Sequence, residues 1–193
     1  MRKWSAAGPW AVPLLLAILF ITFSIAAPRT FASFANVRVM IGGQATIVLL
    51  ALAVLVPLRA GDFDLSISAV MILTGITLGV LTAHGYPVVI ACLLAVLIGP
   101  AVGAINGWLV VRFGIDSFIA TLGTMTILGG LAGLISSNAL ITSIPSQLTV
   151  FAAYRFLGFG TPVWAGWLIA LSLWYIFEWT PCGGAQFRTF WNG

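Results

Sequence analysis

The chain has 193 residues, of which 61% are hydrophobic and 6% are charged, and its formal net charge is +4. Soluble domains contain about 25% charged residues, so these residues cannot form a water-soluble surface, and a soluble globular protein is excluded. The eight basic residues stand singly or in one pair and form no stripe that could follow phosphates, which argues against a nucleic-acid partner.

Long charge-free segments dominate the chain. Crossing a bilayer takes about 20 apolar residues in a helix, so each segment is long enough to cross once and two could cross twice. Strand-period alternation is missing, which argues against a barrel. The sequence therefore predicts an all-α integral membrane protein, a polytopic bundle of about six transmembrane helices. The charge-free segments are residues 4–28, 39–58, 65–111, 117–154 and 156–177.

The first span is expected over residues 10–27. The small residues Ser24, Ala26 and Ala27 resemble a signal-peptidase site. Pro28 follows this site directly, however, and the apolar region is long for a signal peptide. These features favour a retained signal-anchor over a cleaved signal peptide.

Turn-forming and polar residues divide the rest of the chain. His84 to Pro87 split the longest charge-free segment, 112–117 form a short polar link, and 136–160 form a longer loop with room for a short interfacial helix. Five further spans are expected at residues 39–57, 65–83, 88–111, 118–135 and 162–177.

The basic residues favour an orientation with both ends of the chain in the cytoplasm, because cytoplasmic loops carry an excess of Lys and Arg. In that orientation Asp62 and Asp64 lie near the cytoplasmic ends of the second and third spans, and the 137–161 loop lies outside. Five basic residues would be inside (Arg2, Lys3, Arg59, Arg112 and Arg188) and three outside (Arg29, Arg38 and Arg155).

The charged residues Asp62 and Asp64 stand between two apolar spans, where polar groups usually mark function. They could be the metal-binding Asp-x-Asp of a membrane glycosyltransferase, but no acidic or histidine cluster accompanies them. Ser66 and Ser68 with His84 could suggest a serine-protease pair, but a full span separates them. Helix capping accounts better for the acidic and hydroxyl residues, with Asp64 or Ser66 accepting first-turn N–H groups.

Glycines recur at intervals of four residues, just over one helical turn, and such intervals open grooves in which another helix can pack. Asn106, beside one of these glycines, could hydrogen-bond across a helix interface or line a polar path. The candidate packing residues are Gly75 and Gly79, then Gly99, Gly103 and Gly107, and finally Gly129 and Gly133.

Two longer motifs carry a more specific signal. Residues 61–68 read Gly-Asp-Phe-Asp-Leu-Ser-Ile-Ser, and residues 103–115 read Gly-Ala-Ile-Asn-Gly-Trp-Leu-Val-Val-Arg-Phe-Gly-Ile. Residues 118–125 continue with Phe-Ile-Ala-Thr-Leu-Gly-Thr-Met. In this order and spacing they resemble the ribose/xylose-type sugar permeases of bacterial ATP-binding cassette (ABC) importers.

The resemblance implies a multi-pass permease subunit in the bacterial inner membrane, forming part of the translocation path for a monosaccharide. The expected partners are a second permease subunit, cytoplasmic ATP-binding subunits and a periplasmic sugar-binding protein. The permease would perform no covalent chemistry and need no cofactor or metal, since the partner ATPase uses the ATP. Asp62, Asp64, Ser66 and Asn106 are the candidates for lining or gating the path.

The resemblance stops near residue 181. Residues 1–181 are therefore expected to be the N-terminal part of a permease transmembrane domain, and residues 182–193 an atypical short cytoplasmic tail of a truncated chain. Two other functions remain open: a metal-dependent lipid-linked sugar transferase that uses Asp62 and Asp64, and a membrane assembly subunit without a transport path.

Overall fold

The computed structural model describes residues 10–142 and 144–180, and helices account for most of them. A two-residue hairpin between α6 and α7 pairs Arg155 with Gly160 and Phe156 with Phe159 in antiparallel fashion. In chain order the elements are α1 (Ala11–Ala26), α2 (Phe34–Ala60), α3 (Ser66–Ala83), α4 (Val88–Phe113), α5 (Ser117–Ser136), α6 (Ser146–Ala153), β1 (Arg155–Phe156), β2 (Phe159–Gly160) and α7 (Thr161–Trp179).

Each of the six predicted spans coincides with a helix, and the all-α membrane fold is confirmed. Four helices, α2 to α5, are long and apolar enough to cross a membrane. Helix α1 is shorter, with 16 residues, and α7 carries Glu178 and several tryptophans, so a crossing by these two stays a prediction. Helix α6 confirms the short helix expected in the 136–160 loop. The predicted tail at 182–193 lies outside the described residues.

Helix α2 extends beyond the predicted span at both ends. It begins at Phe34, where the Ser33 hydroxyl accepts the backbone N–H of Asn36 at 3.2 Å. It ends before Gly61, whose φ of 85° is the left-handed conformation common after a helix. Arg38 and Arg59 thus lie inside the helix. Charges marked the limits of the apolar segment, whereas backbone capping sets the limits of the helix.

Helices α3, α4 and α5 pack on one another and form the core of the molecule. Its buried side chains are small or medium-sized, which lets the helices approach closely. Helix α2 packs mainly against α7 and only slightly against α3; Ala45 and Gly166 are buried on these two helices. The core side chains are Ala69 and Leu73 of α3, Val102 of α4, and Leu128 and Ala132 of α5.

The links between the helices gather at two ends of the bundle. The links 61–65 and 114–116 share one end, the Asp62 end, where the backbone N–H of Phe63 donates to the Ser117 hydroxyl at 3.2 Å. The link 84–87 lies at the other end, the His84 end. The 18 residues of α3 connect the two ends, a distance of about 27 Å at 1.5 Å per residue.

Candidate functional site

The link 61–65 is held at the start of α3 by one carboxylate. Asp64 Oδ1 accepts the backbone N–H of Ser66 at 2.7 Å and the Ser66 hydroxyl at 2.6 Å. The predicted capping is confirmed for Asp64, whereas Ser66 donates to that carboxylate instead of capping the helix itself. Asp62 is exposed at the same link. The two carboxylates of the motif therefore have different surroundings.

A series of buried and partly buried hydrogen bonds continues from Ser66 through three helices. The Asn106 side-chain amide of α4 donates to the Ser66 hydroxyl at 2.9 Å. The Thr124 hydroxyl of α5 donates to Asn106 Oδ1 at 2.6 Å. Ser66 is 1% exposed and Asn106 is 5% exposed. Each hydrogen bond is donated in the direction of Asp64, so the series of hydrogen bonds ends on a carboxylate. We call Asp64, Ser66, Asn106 and Thr124 the polar relay.

The non-helical backbone beside the relay is satisfied by hydroxyl groups of α5. Thr121 accepts the backbone N–H of Leu65 at 3.2 Å, and its hydroxyl lies 3.2 Å from the Phe63 carbonyl and 2.7 Å from the Ser117 carbonyl. Ser117 accepts the N–H of Phe63. Irregular backbone inside a membrane protein needs such partners, because lipid offers none.

Three of the four gate candidates are joined in the relay: Asp64, Ser66 and Asn106. Ser66 and Asn106 are buried between helices, so in this structure they connect α3, α4 and α5. The fourth candidate, Asp62, has no hydrogen bond to the relay among the described contacts. A role of these residues in lining or gating a path stays a prediction.

The candidate packing glycines fall into two groups. A Cβ atom at Gly79 would lie 2.7 Å from Ile141 Cγ2, and one at Gly133 would lie 2.9 Å from Asn138 Oδ1. At the other five, a Cβ atom would meet nothing within 4 Å. Their packing role stays a prediction. The five are Gly75, Gly99, Gly103, Gly107 and Gly129.

Sequence reasoning missed the hydroxyl residues of α5. Ser117, Thr121 and Thr124 follow one another at intervals of four and three residues, which places them on one helix face. The buried residues Leu128 and Ala132 continue the same face. This mixed polar and apolar face was the signal that could have identified them.

The structure separates the residues of the serine-hydrolase alternative. Ser66 and His84 lie at opposite ends of α3, so they cannot form the pair that a serine hydrolase needs. Within residues 10–142 and 144–180 no group of three or more His, Cys, Asp or Glu side chains is placed to hold a metal ion.

Comparison with known proteins shows that the chain is similar to permeases of transport systems. The chain is 29% identical to the autoinducer 2 import system permease protein LsrD of Salmonella typhimurium over 95% of its length and 57% of that protein. It is 31% identical to the D-allose transport system permease protein AlsC of Escherichia coli over 84% of its length and 50% of that protein. The L-arabinose ABC transporter permease protein AraH of Azospirillum brasilense is 27% identical over 84% of the chain and 48% of that protein.

The chain thus spans about half the length of the curated relatives it matches. No solved structure matches it significantly. The resemblance to sugar permeases of ABC importers is confirmed by these relatives. The relatives and the four helices that are long and apolar enough to cross a membrane together support a multi-pass inner-membrane protein. A family model described as "Branched-chain amino acid transport system / permease component" matches residues 39–188, and the chain belongs to this family of transport permeases.

Proposed function

We propose that this chain is a membrane-spanning permease subunit of a bacterial ABC importer for a monosaccharide and forms part of its translocation path. The observation that carries the proposal is the match to the permease family over residues 39–188. The substrate class is supported by the allose and arabinose systems in which two of the relatives are permeases. The family description names branched-chain amino acids instead, so these are the competing substrates.

The permease contributes a path across the membrane and alternates between two conformations. The partner subunits shift the equilibrium between these two conformations. An ATPase can shift the equilibrium only by binding one conformation more tightly than the other. We infer that cytoplasmic ATP-binding subunits, a periplasmic sugar-binding protein and a second permease subunit are the partners. A second permease is supported by LsrD and LsrC of Salmonella choleraesuis, since both permeases of that import system are similar to this chain.

In this proposal the polar relay holds the beginning of α3 to α4 and α5. Its donors and acceptors are paired with one another, and Asp64 is committed to Ser66. The protein performs no covalent chemistry in this proposal, and ATP is consumed by its partner.

Deletion of the gene in its native host tests the proposal. Uptake of radiolabelled ribose, xylose, allose, arabinose and leucine is measured in the parent, in the deletion strain and after return of the native gene. We expect the uptake of at least one monosaccharide to fall and to recover with the gene, while leucine uptake stays constant. Loss of leucine uptake alone would assign the amino-acid substrate instead. Unchanged uptake of all five would favour an assembly subunit.

A further inference from the structure

The segment 137–142 turns back onto α3 at the His84 end. Helix α5 ends at Ser136, and the next two residues, Ser137 and Asn138, have positive φ values of 52° and 54°. The backbone N–H groups of both donate to carbonyls in the last turn of α5. Non-glycine residues adopt this left-handed conformation at an energetic cost. The reversal therefore places strain directly before the part of the segment that contacts α3.

Ile141 anchors the segment on Gly79 of α3. Gly79 is buried, and a Cβ atom there would lie only 2.7 Å from Ile141 Cγ2. Ile141 is partly buried, whereas the other five residues of the segment are exposed, and Leu140 is 88% exposed. Ile141 is thus the partly buried side chain of the segment and lies on a position of α3 that has no side chain, while Ala139 and Leu140 also line a groove with α3.

The contact partly covers an apolar groove along α3. The groove has a volume of about 440 Å³ and is lined on the α3 side by Met71, Gly75, Ile76 and Gly79, among others. Among the described residues, no hydrogen bond connects 137–142 to α3; the Thr82 hydroxyl, for example, donates within its own helix. The described contacts that hold the segment on α3 are therefore apolar, and segments held without hydrogen bonds open locally more easily.

We propose that the segment 137–142 is a latch that opens and closes on α3, with Ile141 on Gly79 as its closed state. Opening uncovers the α3 groove at the His84 end. Its role in transport rests on the proposed permease function, since it would control access to α3 from that side of the membrane. The existence of the latch does not depend on that function.

Engineered cysteines test the closed state. The chain carries Cys92 and Cys182, which are first replaced by serine. The Cβ position at Gly79 lies 3.6 Å from Ile141 Cβ, within the range of about 3.5–4.5 Å found in disulfides. Gly79→Cys with Ile141→Cys should form a disulfide when membranes are oxidised with copper phenanthroline. Free thiols are counted by the gel shift that polyethylene-glycol maleimide produces.

The matched control is Gly75→Cys with Ile141→Cys, one helical turn away, where an added Cβ would meet nothing within 4 Å. We expect it to keep its thiols. A failure of the first pair to cross-link, or equal cross-linking of both pairs, would overturn the proposed closed state.

Single cysteines that leave Gly79 unchanged test the opening. We expect a soluble maleimide to label Ile141→Cys about tenfold more slowly than Leu140→Cys, because labelling requires local opening. Equal rates mean that the segment is not closed, and complete protection of Ile141→Cys means that it does not open. Either outcome contradicts the latch.

Uptake then tests the role of the latch in transport. In the native host, cross-linking of the Gly79→Cys and Ile141→Cys pair should abolish the uptake of the transported sugar, and dithiothreitol should restore it. Unchanged uptake with a complete cross-link would disprove this role. If the parent transports none of the tested substrates, the proposed function fails, while the cross-linking and labelling results still decide whether the latch exists.

Discussion

Asn106 shows how much a single buried amide can determine in this protein. Its side chain donates to Ser66 of α3 and accepts from Thr124 of α5. Lipid provides no alternative partner for these groups, so the arrangement of the three helices that pairs them is favoured. The amide therefore specifies how α3, α4 and α5 fit together.

Removal of the Thr124 hydroxyl tests this role. Thr124→Val leaves Asn106 Oδ1 without its donor, and interhelical hydrogen bonds in membranes contribute about 0.6–2 kcal/mol each. We expect the free energy of unfolding, measured by dodecyl sulfate titration in detergent, to fall by about 1 kcal/mol. Thr126→Val is the control, because its exposed hydroxyl donates only to the Leu122 carbonyl of the same helix. Equal losses in the two variants would contradict the relay.

The two carboxylates of the motif are expected to respond differently to substitution. Asp64→Ala removes the acceptor of two hydrogen bonds at the start of α3, and the loss of such a cap costs about 1 kcal/mol. Asp62 is exposed, and Asp62→Ala should change stability much less. The melting temperatures of the two variants in detergent test this difference. A larger decrease for Asp62→Ala would contradict the role of Asp64 at the start of α3.

At the scale of elements, the link 61–65 is a non-helical segment held by its neighbour. Thr121 accepts the N–H of Leu65 at 3.2 Å. Thr121→Val should increase hydrogen exchange at Leu65 about five- to tenfold, the equivalent of one lost hydrogen bond. Mass spectrometry of peptides that cover 62–66 measures the exchange. Thr126→Val again serves as the control, and unchanged exchange in Thr121→Val would show that the hydroxyl does not hold the link.

Glycines at turns and glycines on open helix faces should behave differently. Gly85 has a φ of +83°, which L-residues rarely adopt, whereas Gly103 lies in α4 with nothing within 4 Å of an added Cβ. Gly85→Ala should reduce the free energy of unfolding by about 1 kcal/mol. Gly103→Ala should leave it unchanged or raise it slightly, since alanine favours helices. Chemical unfolding of both variants measures the difference, and the opposite order would contradict this view of α4.

The helices could be predicted from the sequence because long apolar segments leave few alternatives in a membrane. Which face of each helix is buried could not be predicted in the same way. The spacing of Gly99, Gly103 and Gly107 predicted a packing face of α4, which stays a prediction, and the residues buried in this structure are Ala91, Ala95, Val102 and Asn106. Small size permits close packing, but the position of a neighbouring helix decides where it occurs. The sequence predicted that Asn106 would hydrogen-bond across a helix interface or line a polar path. Its partner Thr124 could not be identified, because the contact between them depends on how the helices pack.

At the scale of the whole molecule, the two ends of the bundle must lie on opposite sides of the membrane if α3 crosses it. The predicted orientation places the Asp62 end in the cytoplasm. With Cys92 and Cys182 replaced by serine, Gly85→Cys should react with an impermeant maleimide in intact cells. Gly114→Cys, at the Asp62 end, should react only after permeabilisation. The reverse result would invert the orientation, and labelling of both in intact cells would show that α3 does not cross.

The hydrogen bonds that hold the link 61–65 to the start of α5 also have a mechanical consequence. The backbone N–H of Phe63 donates a hydrogen bond to Ser117, and that of Leu65 donates one to Thr121. The polar relay connects α4 to the same helices. Helices α3, α4 and α5 are therefore stiff with respect to one another, whereas α2 and α7 contact each other more than they contact these three. A displacement of either link would therefore move these three helices together, relative to α2 and α7.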